Sequence, residues 1–145
     1  PFLYEEKTKG KDDIFKAVSG FPGVDLRLPL MLDAVKKGKV RLERVVELLS
    51  ENPAKVFGIY PQKGTIRVGA DGDFTVFNFD HETVVDKNKN YSHARDIALV
   101  YEGWKLGCQL TYTFVRGRAV MKNGVVDENA KAYGNLVVPV HKTIF

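Results

Sequence analysis

The residues best suited to meet a ligand lie in one short stretch, Ser19-Gly-Phe-Pro-Gly-Val-Asp-Leu-Arg-Leu-Pro-Leu-Met-Leu32. Two glycines and a proline make a tight backbone excursion, and a leucine-rich run carries it into a helical pattern. Glycine tolerates φ > 0 and lets a ligand or a second backbone come close. The turn also exposes backbone N–H groups just ahead of a helix, where small polar or anionic groups are readily held. Short Gly-Pro motifs equally serve as plain connections between helices, so the loop alone leaves both readings open.

The other chemistry-bearing residues point elsewhere. His81, His93 and His141 are isolated in sequence and read as surface or core residues rather than ligands. There is no paired-histidine motif, no Cys-x-x-Cys, no phosphate-binding loop and no Gly-x-Ser-x-Gly. Asp71 and Asp73 sit in a run of turn formers, and Asx-turn hydrogen bonding accounts for them without a cation. Cys108 enters a strand-like run and reads as a small buried hydrophobe. Glu5, Glu6 and Lys7 read as a solvated charge cluster. Arg27 can pair with Asp25 or frame a site mouth, and the pairing is favoured. No catalytic residue and no metal ligand is assigned within the chain.

The elements that would position the loop follow from punctuation and period. The 145 residues suffice for one domain or one domain plus a piece of another. An apolar fraction of 44%, with 9 Phe, 6 Tyr and 1 Trp, marks a globular chain. The net charge of +4 comes from scattered lysines rather than a basic stripe, which argues against a nucleic-acid partner. No apolar run is long enough to span a bilayer, so no membrane partner is expected, and the lone cysteine fits a reducing, cytoplasmic setting. The chain begins at Pro1 and reads as a piece of something longer.

Asp12 or Asp13 caps a short helix through Ala17. A helix starts near Pro29 with Leu30, Met31, Ala34 and Val35 as its apolar face, and Gly38 stops it. A second helix runs from about Leu42 to Ser50, and Asn52 caps a third, with Ala54, Val56 and Phe57 turned inward and Gly58 at its end. Strands follow. Gly64 to Gly69 alternates briefly, and Phe74 to Phe79 carries aromatics on both sides, as a doubly covered strand does. His81 to Val85 reads as a further short strand, and Leu106 to Val115 is the longest strand signal. Ala119 to Lys122 and the hairpin turn Asn123-Gly124 come next, with an extended tail from Asp127. These strands are too few to close a sandwich.

Several segments, taken in order, resemble the C-terminal end of the cyclic amidohydrolases: dihydroorotases, dihydropyrimidinases (hydantoinases) and allantoinases. They are Pro1-Phe2 with Glu5-Glu6-Lys7 and Asp13-Ile-Phe-Lys16; the glycine loop with its leucine run, Ser19 to Leu32; Glu51-Asn-Pro-Ala-Lys-Val-Phe-Gly58 with Lys63 to Phe77 behind it; and Tyr101-Glu-Gly-Trp104 followed by Thr113 to Val120 and Asn123-Gly124. Together they span nearly the whole chain.

The resemblance implies an α/β fold: the last helices of a (β/α)8 barrel over residues 1–58, then part of a small β-sandwich and a tail over residues 59–145. It implies two zinc ions held by histidines and a carboxylated lysine upstream of Pro1, with a catalytic aspartate just before that residue. Within the chain it leaves the substrate loop, Ser19, Gly20, Phe21, Pro22 and Gly23, whose backbone would hydrogen-bond a cyclic imide or ureide edge. The implied partners are a small cyclic amide, the missing N-terminal part of the same protein and a second copy in a homo-oligomer. Among relatives, dihydroorotase stands slightly ahead of hydantoinase and allantoinase. Phe2, however, stands where dihydroorotases usually carry a substrate-contacting histidine, and a phenyl ring cannot pair with a carboxylate. A non-catalytic amidohydrolase-like scaffold subunit is the alternative of another class. The isolated chain is expected to be inactive.

Overall fold

The computed structural model describes residues 4–98, 100–130 and 133–139. The readings that fall on Pro1, Phe2 and His141 lie outside these residues.

Helices come first. Helix α1 covers Tyr4–Thr8. A single 3-10 turn, Ile14–Lys16, follows, capped by the Asp13 carboxylate, which accepts from Phe15 N at 3.1 Å. Helix α2 covers Arg27–Lys36 and is led in by a 3-10 turn at Val24–Leu26. It thus begins two residues before Pro29, and Gly38 at φ 69° ends it. Its inward residues are Leu32 and Asp33. The expected face of Leu30, Met31, Ala34 and Val35 is only half-buried; of these Leu30 packs against the core, whose buried members here are Leu26 and Leu32.

Helix α3, Leu42–Val46, passes through a π turn at Glu47–Glu51 into α4, Asn52–Val56. Asn52 is helical, at φ −65° and ψ −45°, and its N–H reaches Glu47 O. The expected capped break is therefore absent: the widened turn leaves room for the Pro53 ring, which would collide with a carbonyl of an ordinary α turn. Ala54 is buried as expected, whereas Val56 and Phe57 face water.

The β unit is antiparallel. Strands β1 (Phe74–Asn78), β4 (Gln109–Val115), β5 (Arg118–Lys122) and β6 (Val125–Val126) form one sheet in the order β1-β4-β5-β6. Strands β2 (Thr83–Val84) and β3 (Lys105–Leu106) form a second, two-stranded ladder. Phe74 pairs with Phe114, and Phe77 with Leu110, across a bulge between Val76 and Phe77. The two tight turns, Arg116-Gly117 and Asn123-Gly124, each place both residues at positive φ, the geometry that matches strand twist.

Two strand expectations fail. Gly64 to Gly69 forms turns and bends, because no described strand lies alongside to hydrogen-bond it, and Ile66 and Val68 stay in water. Strand β1 is covered on one side: Phe77 packs on the core, while Phe74 and Val76 remain exposed. The tail forms a 3-10 turn at Glu128–Ala130, and Tyr133 stacks under Arg116, 4.4 Å from ring centre to guanidinium.

Helices and strands share one core. Leu26 and Leu32 meet Val85, Leu106 and Cys108, with Leu28, Phe77, Phe79 and Leu110 packed around them. No helix among the described residues is long and apolar enough to cross a membrane.

Candidate functional site

The Ser19–Gly23 loop lies on the surface and is held from three sides. Gly20 sits at φ 83°, a left-handed conformation that only glycine adopts without strain. The Phe21 ring folds back over Gly23, where a Cβ would lie 2.9 Å from its Cε2. On its other side Phe21 meets Tyr101, with ring centres 5.9 Å apart and planes tilted by 58°. Tyr101 in turn meets Trp104 edge-to-face at 5.0 Å.

That aromatic pair belongs to the turn Tyr101-Glu-Gly-Trp104. Trp104 N donates to Tyr101 O at 3.0 Å, and Gly103 N to Val85 O at 2.9 Å. The Glu102 carboxylate accepts from Lys87 N at 2.8 Å. The third restraint is Lys7 on α1, whose ammonium donates to both Val18 O and Gly20 O. The sequence reading of Lys7 as part of a solvated charge cluster is corrected here, since its side chain is half-buried against the loop. A contact reaching across 11 and 13 residues leaves no periodic trace in the sequence.

Gly23 O is already committed, accepting from Leu26 N at 3.2 Å and Arg27 N at 3.1 Å. Among the described residues, the N–H groups of Ser19, Gly20 and Phe21 donate to no protein acceptor. The loop therefore offers unclaimed donors on a pinned backbone.

Arg27 does not pair with Asp25. The Asp25 carboxylate instead accepts from Tyr91 N at 3.0 Å and Ser92 N at 3.4 Å, tying the entry to α2 onto the β half. Arg27 lies at the rim of an apolar cleft of 560 Å³ between α2–α3 and the sheet. Leu28, Leu42, Val45, Phe77 and Phe114 line this cleft, which reaches Val24 but not the glycine loop.

Among the described residues Asp33 is the one buried charged side chain, and no local sequence signal marks it. Burial pushes its carboxyl up, but Gly107 N–H at 3.0 Å and the Lys37 ammonium at 2.6 Å outweigh this and hold it below its ordinary value. Cys108, fully buried, places its Sγ 3.5 Å from Pro29 O, and burial pushes the thiol up and away from reactivity.

Asp71 and Asp73 both ion-pair with Lys63, Asp71 at 2.8 Å, and Asp73 also accepts from Arg116 N at 2.7 Å. Their carboxylates thus close a polar knot at the start of β1. Among the described residues no group of three or more His, Cys, Asp or Glu side chains could hold a metal. His81 and His93 are exposed. The resemblance puts the ligands of its zinc pair upstream of Pro1, outside these described residues.

Residues 21–120 match the model of the amidohydrolase family. An L-hydantoinase of Paenarthrobacter aurescens is 41% identical over 123 residues, 84% of this chain and 26% of that protein. A dihydroorotase of Methanothermobacter thermautotrophicus is 37% identical over 133 residues, 92% of this chain and 30% of that protein. A solved D-hydantoinase structure superposes with a TM-score of 0.77 at 34% identity, covering 86% of this chain and 27% of its own. The chain belongs to the amidohydrolase family, among its cyclic-amide members. It spans between a quarter and a third of the length of these curated relatives.

Proposed function

We propose that this chain is the C-terminal portion of a longer, metal-dependent cyclic amidohydrolase, and that Ser19 to Gly23 bind the flat ring of its substrate. Residues 1–58 would complete a (β/α)8 barrel, and residues 59–145 would belong to a small β-sandwich. The family match over residues 21–120 carries this reading. The pinned loop with unclaimed N–H groups supports the assignment of the binding segment.

The substrate class is a five- or six-membered cyclic amide, and the first choice is a hydantoin or dihydropyrimidine. The 41% identity to an L-hydantoinase favours it, and so does Phe2, which cannot pair with a carboxylate. Dihydroorotate is the second reading, favoured by a dihydroorotase relative that covers 92% of this chain. Two zinc ions would be held by residues of the longer protein outside this chain.

The apolar side chains Ile66, Val68, Phe74 and Val76 are exposed, as residues covered by the rest of that protein would be in this chain alone. The test is turnover of hydantoin, dihydrouracil, dihydroorotate and allantoin by the full-length protein, together with its metal content. Ring opening of at least one, with stoichiometric metal, is expected. A metal-free protein that opens none of the rings, as a scaffold subunit would be, overturns the reading. The 145-residue chain alone is expected to open none of them.

A further inference from the structure

We infer that Lys7 is a positioning residue for the glycine loop: by gripping the carbonyls of Val18 and Gly20 with one ammonium, it aims the Ser19 and Phe21 N–H groups at a ring edge bearing two carbonyl oxygens. This deepens the reading above and rests on it. The argument is geometric. In a trans peptide the C=O and the following N–H point in opposite directions. Among the described residues Tyr60-Pro61 is the only cis peptide bond, so the 18–19 and 20–21 bonds are trans. Both of their carbonyls face Lys7 Nζ. The N–H groups of Ser19 and Phe21 therefore point away from Lys7, on the opposite side of the loop, and neither donates to a described acceptor.

Two donors held at alternate residues suit a ring whose edge reads carbonyl, N–H, carbonyl. A cyclic imide or ureide has that edge, and a simple lactam lacks it. The Phe21 ring, braced by Tyr101 and Trp104, holds the far end of the same segment. Without the ammonium the two carbonyls are free to turn to water, and the donors lose their common direction. Among the described residues the Lys7 ammonium bonds to loop carbonyls, so its loss weakens ring binding rather than the bond-breaking step.

The experiment uses the full-length hydrolase with Lys7→Met, Lys7→Arg and Lys7→Gln, measuring KM and kcat on hydantoin and dihydrouracil alongside the melting temperature. The expected result is that K7M raises KM tenfold or more, leaves kcat within threefold and melts within a few degrees of wild type. A guanidinium can still span two carbonyls, so K7R is expected to recover KM to within threefold. An unchanged KM in K7M, or a KM that K7R fails to restore, overturns the inference. If K7M does not fold, the order of KM for K7R and K7Q decides: K7R at or above K7Q overturns it, and K7Q well above K7R upholds it. A wild-type protein that opens no cyclic amide removes the ring ligand and overturns both readings, whereas active wild type with indifferent variants overturns this one alone.

Discussion

Val76 and Phe77 are neighbours on β1, and each is a good strand residue. Phe77 packs under α2 against the core, while Val76 leaves 40% of its surface in water. The same contrast extends to whole regions. Around Leu32, Leu106 and Cys108, helix and strand interlock with under 2% exposure. Around Ile66, Val68 and Phe74, equally apolar residues meet solvent. Apolar pattern states that a face needs cover. It does not state whether the cover lies in the same stretch of chain. The interlocked region thus carries the stability of this chain, and the open region marks where more protein belongs under the function proposed above.

The largest expected effect lies in the interlocked region. Leu32 is 1% exposed, so Leu32→Ala removes buried methyl groups and leaves a cavity that its β neighbours cannot fill. A loss of about 3 kcal/mol is expected, within the range for large-to-small core changes. Urea denaturation of the 145-residue chain measures it, and a loss under about 1 kcal/mol would mean that the core is looser than its packing implies.

Asp33 comes next. Asp33→Ala strands the Gly107 N–H in the core and removes the partner of Lys37. A cost of about 2 kcal/mol is expected from the unsatisfied donor, with little added by the half-exposed lysine. The pH dependence has a defined sign. The folded carboxyl lies below its ordinary value of 3.8, so its contribution is present above that value and fades as acid carries the pH down through the lowered folded value. Unfolding free energies at pH 6 and pH 3 should therefore converge between wild type and D33A as the pH falls. A gap that stays constant would show that the carboxylate charge plays no part in joining α2 to Gly107, between β3 and β4.

Much of the helical half is legible because its signals are local. Asp13 caps, Gly38 stops and Gly58 stops, each within one turn of the residues it governs. Asn123-Gly124 declares its hairpin in the same way. The family resemblance carried by the segments from Ser19 to Val120 is likewise present in short motifs, and the match over residues 21–120 agrees with it. What escaped is non-local. The grip of Lys7 on Gly20, of Asp33 on Gly107 and of Asp25 on Tyr91 joins residues 13, 74 and 66 positions apart. No helical or strand period reports such pairs. The continuous α3–α4 helix was misread for a different reason: Pro53 is a strong breaker signal, and a π turn absorbs it. The Gly64 to Gly69 run was misread because strand propensity describes fitness for a sheet, and a sheet needs a neighbour.

The smallest expected effect sharpens the comparison most. Val68 is fully exposed, so Val68→Ser gives up almost no buried area, and its cost in the 145-residue chain is expected within about 0.5 kcal/mol. The same substitution in the full-length protein should cost about 1 kcal/mol or more, because a covered valine contributes through the apolar area it removes from water. Denaturation of both proteins, each with and without the substitution, compares the two values directly. Equal and negligible costs would mean that the open face is an ordinary solvated surface. A cost confined to the longer protein would place its missing cover over Val68.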